Sequence, residues 1–291
     1  MHFREKWFEA VERKGSVLCA GLDPAEFEMG RGEKGLPKGV HKLNWALGYV
    51  EAVAPFCVAV KPNTQYWKGE FDAVNLREIT EYARNLGLLI IEDSKLADIG
   101  STNDVGIFHA SQRADAVTIA PYAGNMEEVA ELCRKHGIGA ITMCLMSNPE
   151  YDMEKNMFVE TGVFDLYDSA DVLEINGLPH TRRYMQLAHD ANKFGLGGIV
   201  VGAPSPKNHI TDEELAKVRK CVGDRMVVLS PGIGAQGGNA EVLWRYFGGN
   251  NVIANVGRAM MFPKGSNSHP QDQAEIAEAY RDILNKLRLS A

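Results

Sequence analysis

Several features that would place a chain quickly are missing from these 291 residues. The five cysteines, Cys19, Cys57, Cys133, Cys144 and Cys221, are odd in number and form no C-x-x-C pair. Buried, reduced thiols are therefore expected, not a disulfide framework or a thiolate metal site. The eight histidines are scattered, with no H-x-H or H-E-x-x-H spacing that would suggest zinc. Basic charge is in deficit: 31 Lys and Arg against 38 Asp and Glu leave a formal charge of -7. A nucleic-acid partner would need clustered basic surface and is not expected. No apolar run approaches the roughly 18 residues of a membrane span, so no membrane partner is expected either. Internal repeats, low-complexity tracts and linkers are also missing.

What is present is a rhythm. Hydrophobic residues make up 45% of the chain, enough for a sizeable core. The charged start "MHFREKWFEAVERKGS" puts Phe3, Trp7, Phe8 and Val11 at helical spacing. It reads as a surface helix and not as a signal peptide, and a cytoplasmic location is expected. Eight short apolar runs follow: "SVLCAGLD", "CVAVKPN", "LLIIEDSK", "AVTIAPY", "GAITMCLMS", "GIVVGAP", "MVVLSPGIG" and "NVIANVGR". Between them lie amphipathic stretches such as "VNLREITEYARNLG", "NMEEVAELCRKHG" and "YMQLAHDANKFG", each ending in the glycine expected just past a helix C-terminus. Strands alternating with helices imply a parallel sheet buried on both faces. Eight of them close an α/β architecture of the (β/α)8 TIM barrel type. The closing stretch "DQAEIAEAYRDILNKL" reads as an amphipathic helix, and residues 1–291 are expected to form a single domain.

An open doubly wound sheet is the alternative fold, and a G-x-G-x-x-G does occur at Gly232, Gly234 and Gly237. It follows the seventh strand and not the first, and the strand after it lacks the acid that would hold a ribose. Two long connections interrupt the rhythm, near 24–43 and 149–179, after the first and fifth strands. Both are expected on the barrel's active face, and no family motif within them assigns either a role.

Polar residues gather where strand C-termini converge on one mouth. They are Asp23 after the first strand, Lys61 on the second, Asp93 and Lys95 on the third, and Ser147 after the fifth. Gln236 follows the seventh, and Gly257 and Arg258 follow the eighth. Asp93 and Lys95 stand two apart and would share a face of a regular strand, whereas Asp98 lies beyond it in the loop. Taken singly, such a residue is more often a solvated terminus, and Ser147 could be a turn or cap residue. Gln236 could satisfy local backbone, and Arg258 could form a surface ion pair worth about 0–1 kcal/mol. The conjunction is what carries chemical meaning.

That conjunction closely resembles the orotidine 5'-phosphate decarboxylase family. Its hallmark D-x-K-x-x-D-I-x-x-T is matched at every fixed position by "DSKLADIGST": Asp93, Lys95, Asp98, Ile99 and Thr102. "GLDP" at Asp23, "VKPN" at Lys61, "SPGIGAQGG" and "VGR" at Arg258 resemble the family in the right order, most closely its longer, type 2 branch. The resemblance implies a metal-free carboxy-lyase that makes UMP and CO2 from orotidine 5'-phosphate in pyrimidine biosynthesis, with no cofactor. It implies a catalytic array of Lys61, Asp93, Lys95 and Asp98, with Asp98 lent across a homodimer interface and Ile99 and Thr102 beside it. Lys95 would stabilise a C6 carbanion and protonate it. Asp23 and Lys61 would hold ribose hydroxyls, Ser147 the pyrimidine, and Gln236, Gly257 and Arg258 the phosphate. Two other readings remain: a magnesium-dependent sugar-phosphate lyase or decarboxylase of the same superfamily, in which an acid typically stands where Lys61 does, and a non-catalytic nucleotide-binding barrel.

Overall fold

A computed structural model describes residues 2–162, 169–233 and 240–290. All eight expected strands form: Leu18–Leu22, Ala59–Pro62, Leu89–Leu96, Ala116–Ile119, Gly139–Leu145, Gly198–Val201, Val227–Pro231 and Val252–Val256. They pair in parallel and in order, and the eighth returns to the first with Ala20 opposite Val256, which closes a (β/α)8 barrel. The strands read as continuous apolar runs because both faces are covered, by barrel interior on one side and helices on the other. The first, second, fourth, sixth and eighth are buried at every residue.

The amphipathic stretches become helices Asp72–Asn85, Met126–His136 and Arg183–Lys193. Their trailing glycines, Gly87, Gly137 and Gly195, all take positive φ, between 67° and 77°, which lets each chain reverse toward the next strand. Helix Phe3–Lys14 buries Phe3, Trp7 and Val11. Its Phe3 reaches the N-terminal end of the barrel, where a Cβ on Gly139 would lie 2.4 Å from the Phe3 Cβ. The last helix, Pro270–Ser290, packs along helix Lys42–Val53. All five cysteines are free and buried. Burial pushes the Cys19, Cys133 and Cys221 thiols up to about 12, so none is a ready nucleophile. No helix among the described residues is long and apolar enough to cross a membrane.

The two long connections are ordered differently. The one near 24–43 forms short 3-10 turns at Phe27–Met29 and Gly32–Lys34, and Glu33 accepts the Ser266 backbone N–H at 3.1 Å. The one near 149–179 runs on to Arg182 and builds helix Tyr151–Asn156 and a small antiparallel sheet. In that sheet the central strand Leu178–Arg182 pairs with Phe158–Glu160 and Leu173–Ile175. A two-residue turn at Asn176 and Gly177, both at positive φ, joins Leu173–Ile175 to Leu178–Arg182. Buried Lys155 ties this insertion to the barrel helix Asp212–Val222 through Glu214, at 2.6 Å.

Candidate active site

The C-terminal ends of the strands surround a cavity of about 310 Å3. Among the sequence-predicted residues, Asp23, Lys61, Asp93, Lys95, Ser147, Gly257 and Arg258 line it. Gln236 lies outside the described residues. Asp98, Ile99 and Thr102 do not line the cavity; all three are exposed at the start of helix Gly100–Ser111.

The third strand sorts its charges by alternation. Glu92 faces outward and is buried against Arg113 at 2.6 Å, while the Ser94 hydroxyl donates to it at 2.6 Å. Asp93 faces inward, buried. Lys61 donates to Asp93 Oδ2 and Lys95 to Asp93 Oδ1, each at 2.5 Å. One carboxylate thus bridges two ammoniums, Lys61 buried and the Lys95 side chain 46% exposed toward the cavity.

Regular strand pitch is not what brings Lys95 to this place. Its φ is +50°, and the register with the fourth strand slips between Glu92 and Leu96, so the strand bulges at the lysine. A left-handed lysine costs about 1–3 kcal/mol and persists only where its surroundings hold it. Thr118 of the fourth strand supplies part of that hold: its hydroxyl accepts the Lys95 backbone N–H and donates to Asp93 Oδ1, both at 3.0 Å. Thr118 was not singled out from the sequence. The only signal was a hydroxyl in the apolar run "AVTIAP", which is equally what a self-satisfied core threonine looks like.

Charge balance explains why the array is tolerated. Burial opposes the Asp93 carboxylate, but the Lys61 and Lys95 ammoniums outweigh it and hold the carboxyl well below the usual range. Burial likewise opposes the Lys61 ammonium, yet Asp93 and Asp23 raise it above an ordinary lysine. Asp23 behaves in the opposite way: burial, only partly offset by Lys61, pushes its carboxyl up. Asp23 Oδ1 and Asn255 Oδ1, both at the cavity, are buried acceptors with no donor among the described residues. Such atoms call for a donor from whatever fills the space. Asn255 and Met146 were also missed in the sequence, where they read as ordinary strand and loop residues.

The remaining walls depend on two close approaches. A Cβ on Gly21 would lie 2.8 Å from the Gly257 Cα, so glycine on the first strand lets the end of the eighth come in. A Cβ on Gly202 would lie 2.8 Å from that of Ser147, so the chain after the fifth strand rests on the end of the sixth. Arg258 opens the short helix Arg258–Met261, exposed and without an ion pair among the described residues. Asp98 accepts the Ile99 N–H at 2.8 Å through its own carboxylate, and Asn125 donates to its carbonyl at 2.8 Å. The exposed apolar side chains of Ile99, Val105, Phe108 and Tyr122 lie along this segment and the neighbouring turn.

A larger cleft, of about 620 Å3, opens at the opposite end of the barrel and shares no residue with this cavity.

Comparison with known proteins gives a consistent picture. Residues 16–262 match the family described as orotidine 5'-phosphate decarboxylase / HUMPS. The chain is 31% identical to orotidine 5'-phosphate decarboxylase of Cupriavidus metallidurans, with 99% of each sequence covered. It is 32% identical to the protein of the same name from Bordetella avium, covering 99% of this chain and all of that one. Among solved structures, Leishmania donovani OMP decarboxylase superposes over the whole of both chains with a TM-score of 0.73 at 21% identity, a likeness of fold.

Proposed function

The chain belongs to the orotidine 5'-phosphate decarboxylase / HUMPS family, and on that premise we propose that it is a carboxy-lyase converting orotidine 5'-phosphate to UMP and CO2. The observation that carries this reading is the Lys61–Asp93–Lys95 bridge at the cavity, with one cation exposed to the space a substrate would fill.

In the proposed reaction the bond from C6 to its carboxylate breaks and CO2 departs. The electron pair stays on C6, where no adjacent π-system absorbs it. Lys95, a compact ammonium, stabilises that charge and then transfers a proton to C6, yielding UMP. Its neutral amine recovers a proton from water. Asp93 crowds the departing carboxylate: two like charges about 4 Å apart at an effective dielectric near 20 repel by about 4 kcal/mol. Fully expressed at the barrier, that is about a thousandfold, so preorganised stabilisation of the carbanion has to supply more. Asp23 and Lys61 hold ribose hydroxyls, a role supported by the unpartnered Asp23 Oδ1. Ser147 holds the pyrimidine. Gln236, the Gly257 amide and Arg258 hold the phosphate, whose binding energy helps desolvate the ring.

The fourth member of the array, Asp98, comes from a second copy of the chain in this proposal, with Ile99 and Thr102 beside it. Supporting this are its exposure, its absence from its own chain's cavity, and the exposed apolar residues around it. A two-fold interface would make the exchange reciprocal. We read residues 1–291 as one catalytic domain acting in the cytoplasm, in pyrimidine biosynthesis.

A magnesium-dependent reaction of the same superfamily is the competing reading. Against it, the Lys61 ammonium already lies on Asp93 Oδ2, where a divalent ion would need a carboxylate ligand to be free. The test is direct. Purified protein mixed with orotidine 5'-phosphate should lose the substrate's ultraviolet absorbance at the same rate with and without EDTA. Loss of activity with chelator would favour the metal-dependent reading. UMP binding without turnover would favour a binding barrel.

A further inference from the structure

The cleft at the N-terminal end of the barrel takes no part in the chemistry above, yet it is twice the size of the cavity at the strand C-termini, about 620 Å3 against about 310 Å3. Three successive helix-to-strand turns form its floor. The first two repeat one pattern, "RKHGIG" at Arg134–Gly139 and "NKFGLG" at Asn192–Gly197. They place Arg134 and Asn192 at equivalent positions, and the third turn adds Arg225. Of the two glycines in each patterned turn, Gly137 and Gly195 leave open space, while Gly139 and Gly197 make room for the Phe3 side chain. The wall is the first turn of helix Phe3–Lys14, which contributes Arg4.

The charge here is one-sided. Among the described residues Glu5 is the one carboxylate lining the cleft, and it is engaged by the His2 backbone N–H at 2.9 Å. Asp224, close by, is paired with Arg219 and also lies within electrostatic reach of Arg4, leaving Arg134 and Arg225 as the cleft's uncompensated cations among the described residues. Arg4, Arg134 and Arg225 make no ion pair among the described residues. Arg134 donates one N–H to the Phe194 carbonyl at 3.0 Å, and the Arg4 guanidinium lies over the Phe8 ring at 4.2 Å. The Arg4 Nε is buried with no acceptor among the described residues. Guanidinium forks match phosphate oxygens, and several of them around one space select a ligand with more than one negative charge.

We infer that this cleft is a second binding site, distinct from the one at the strand C-termini, for a small phosphorylated compound of the di- or triphosphate class. The inference does not rest on the decarboxylase reading, because the two spaces share no residue.

Equilibrium dialysis of the full chain with inorganic pyrophosphate, at about 0.15 M salt so that long-range attraction is screened, provides the test. The double variant Arg134→Ala/Arg225→Ala is expected to bind one pyrophosphate fewer per chain than the unaltered protein. The charge-keeping variant Arg134→Lys/Arg225→Lys is expected to recover that site, with affinity about tenfold lower because the fork is lost. Turnover of orotidine 5'-phosphate, or UMP binding if there is no turnover, should be unchanged in both variants and serves as the check on folding. Equal stoichiometry in the unaltered protein and the alanine variant, including none in either, would overturn the assignment.

Discussion

Replacing Lys61 with methionine tests the array most directly, because the change keeps bulk and removes one charge. The Lys61 Nζ lies 2.5 Å from Asp93 Oδ2, and both groups are buried. Unit charges at that distance attract by about 7 kcal/mol at an effective dielectric near 20. The cost of drying both ions offsets part of this, and removing one partner of a buried pair typically costs about 3–5 kcal/mol. At roughly 2–4 °C per kcal/mol for a chain of this size, the melting temperature at pH 7 should fall by on the order of 10 °C. The pH dependence supplies the sharper signature. In the unaltered protein Asp93 is depressed, so its stabilisation is complete above the ordinary carboxylate range and is lost only as pH falls through its low folded value. In Lys61→Met, burial faces only the half-exposed Lys95 and the neutral Thr118 hydroxyl, so the Asp93 carboxyl is expected to rise above its unfolded value. Its ionisation then opposes folding, and that penalty disappears as pH falls. The gap in melting temperature between the two proteins should therefore be widest near pH 8 and narrow toward pH 5, read by scanning calorimetry. A gap below about 2 °C, or one that does not change between those pH values, would refute the reasoning.

Lys95→Ala should abolish turnover while largely sparing UMP affinity, because Asp93 keeps Lys61 and the fold keeps its charge balance; near-normal turnover would remove Lys95 from the chemistry. Arg258→Ala should raise the UMP dissociation constant by about tenfold or more while uridine binding stays the same, since a guanidinium–phosphate contact is charge-assisted. In Thr118→Val, both hydrogen bonds that pin Lys95 and Asp93 are lost, so kcat should fall by about tenfold to a hundredfold, with Thr118→Ser recovering most of it. Gly21→Ala would drive a methyl to 2.8 Å from the Gly257 Cα, so the chain leading to Arg258 must shift, and KM should rise more than kcat falls. Equal effects on the two constants would argue that the close approach serves stability alone.

The legibility of this protein varies sharply from element to element. The eight strands could be read because a strand buried on both faces is a short, unbroken apolar run, and "CVAVKP" or "GIVVG" has little else to be. Three of the helices could be read because a glycine follows each stop, Gly87, Gly137 and Gly195, all at positive φ. The inserted sheet was not foreseen, although "EINGLP" carries the Asn-Gly pair of a two-residue hairpin, Asn176 and Gly177. Its strands are only three to five residues long and carry exposed apolar groups such as Leu173 and Leu178, so they lack the alternation that identifies a half-buried strand.

At the site, the spacing of Asp93, Lys95 and Asp98 was visible in the chain, and so were the polar residues waiting at the other strand ends. That much is local, since which residues follow an apolar run does not depend on what packs against it. What the chain could not state is which atoms meet. Lys61 and Asp93 are 32 positions apart and touch because two strands pair side by side. Lys95 reaches its place through a left-handed bulge clamped by Thr118, 23 positions on, and not through strand pitch. The arginines of the opposite cleft lie on two separate turns and a terminal helix. Composition and periodicity determined the barrel and named its polar strand ends, because burial and backbone period act residue by residue. Closure of the barrel decided the electrostatics, because a charge's cost depends on its distance to another charge, and those distances exist only once the strands are in register.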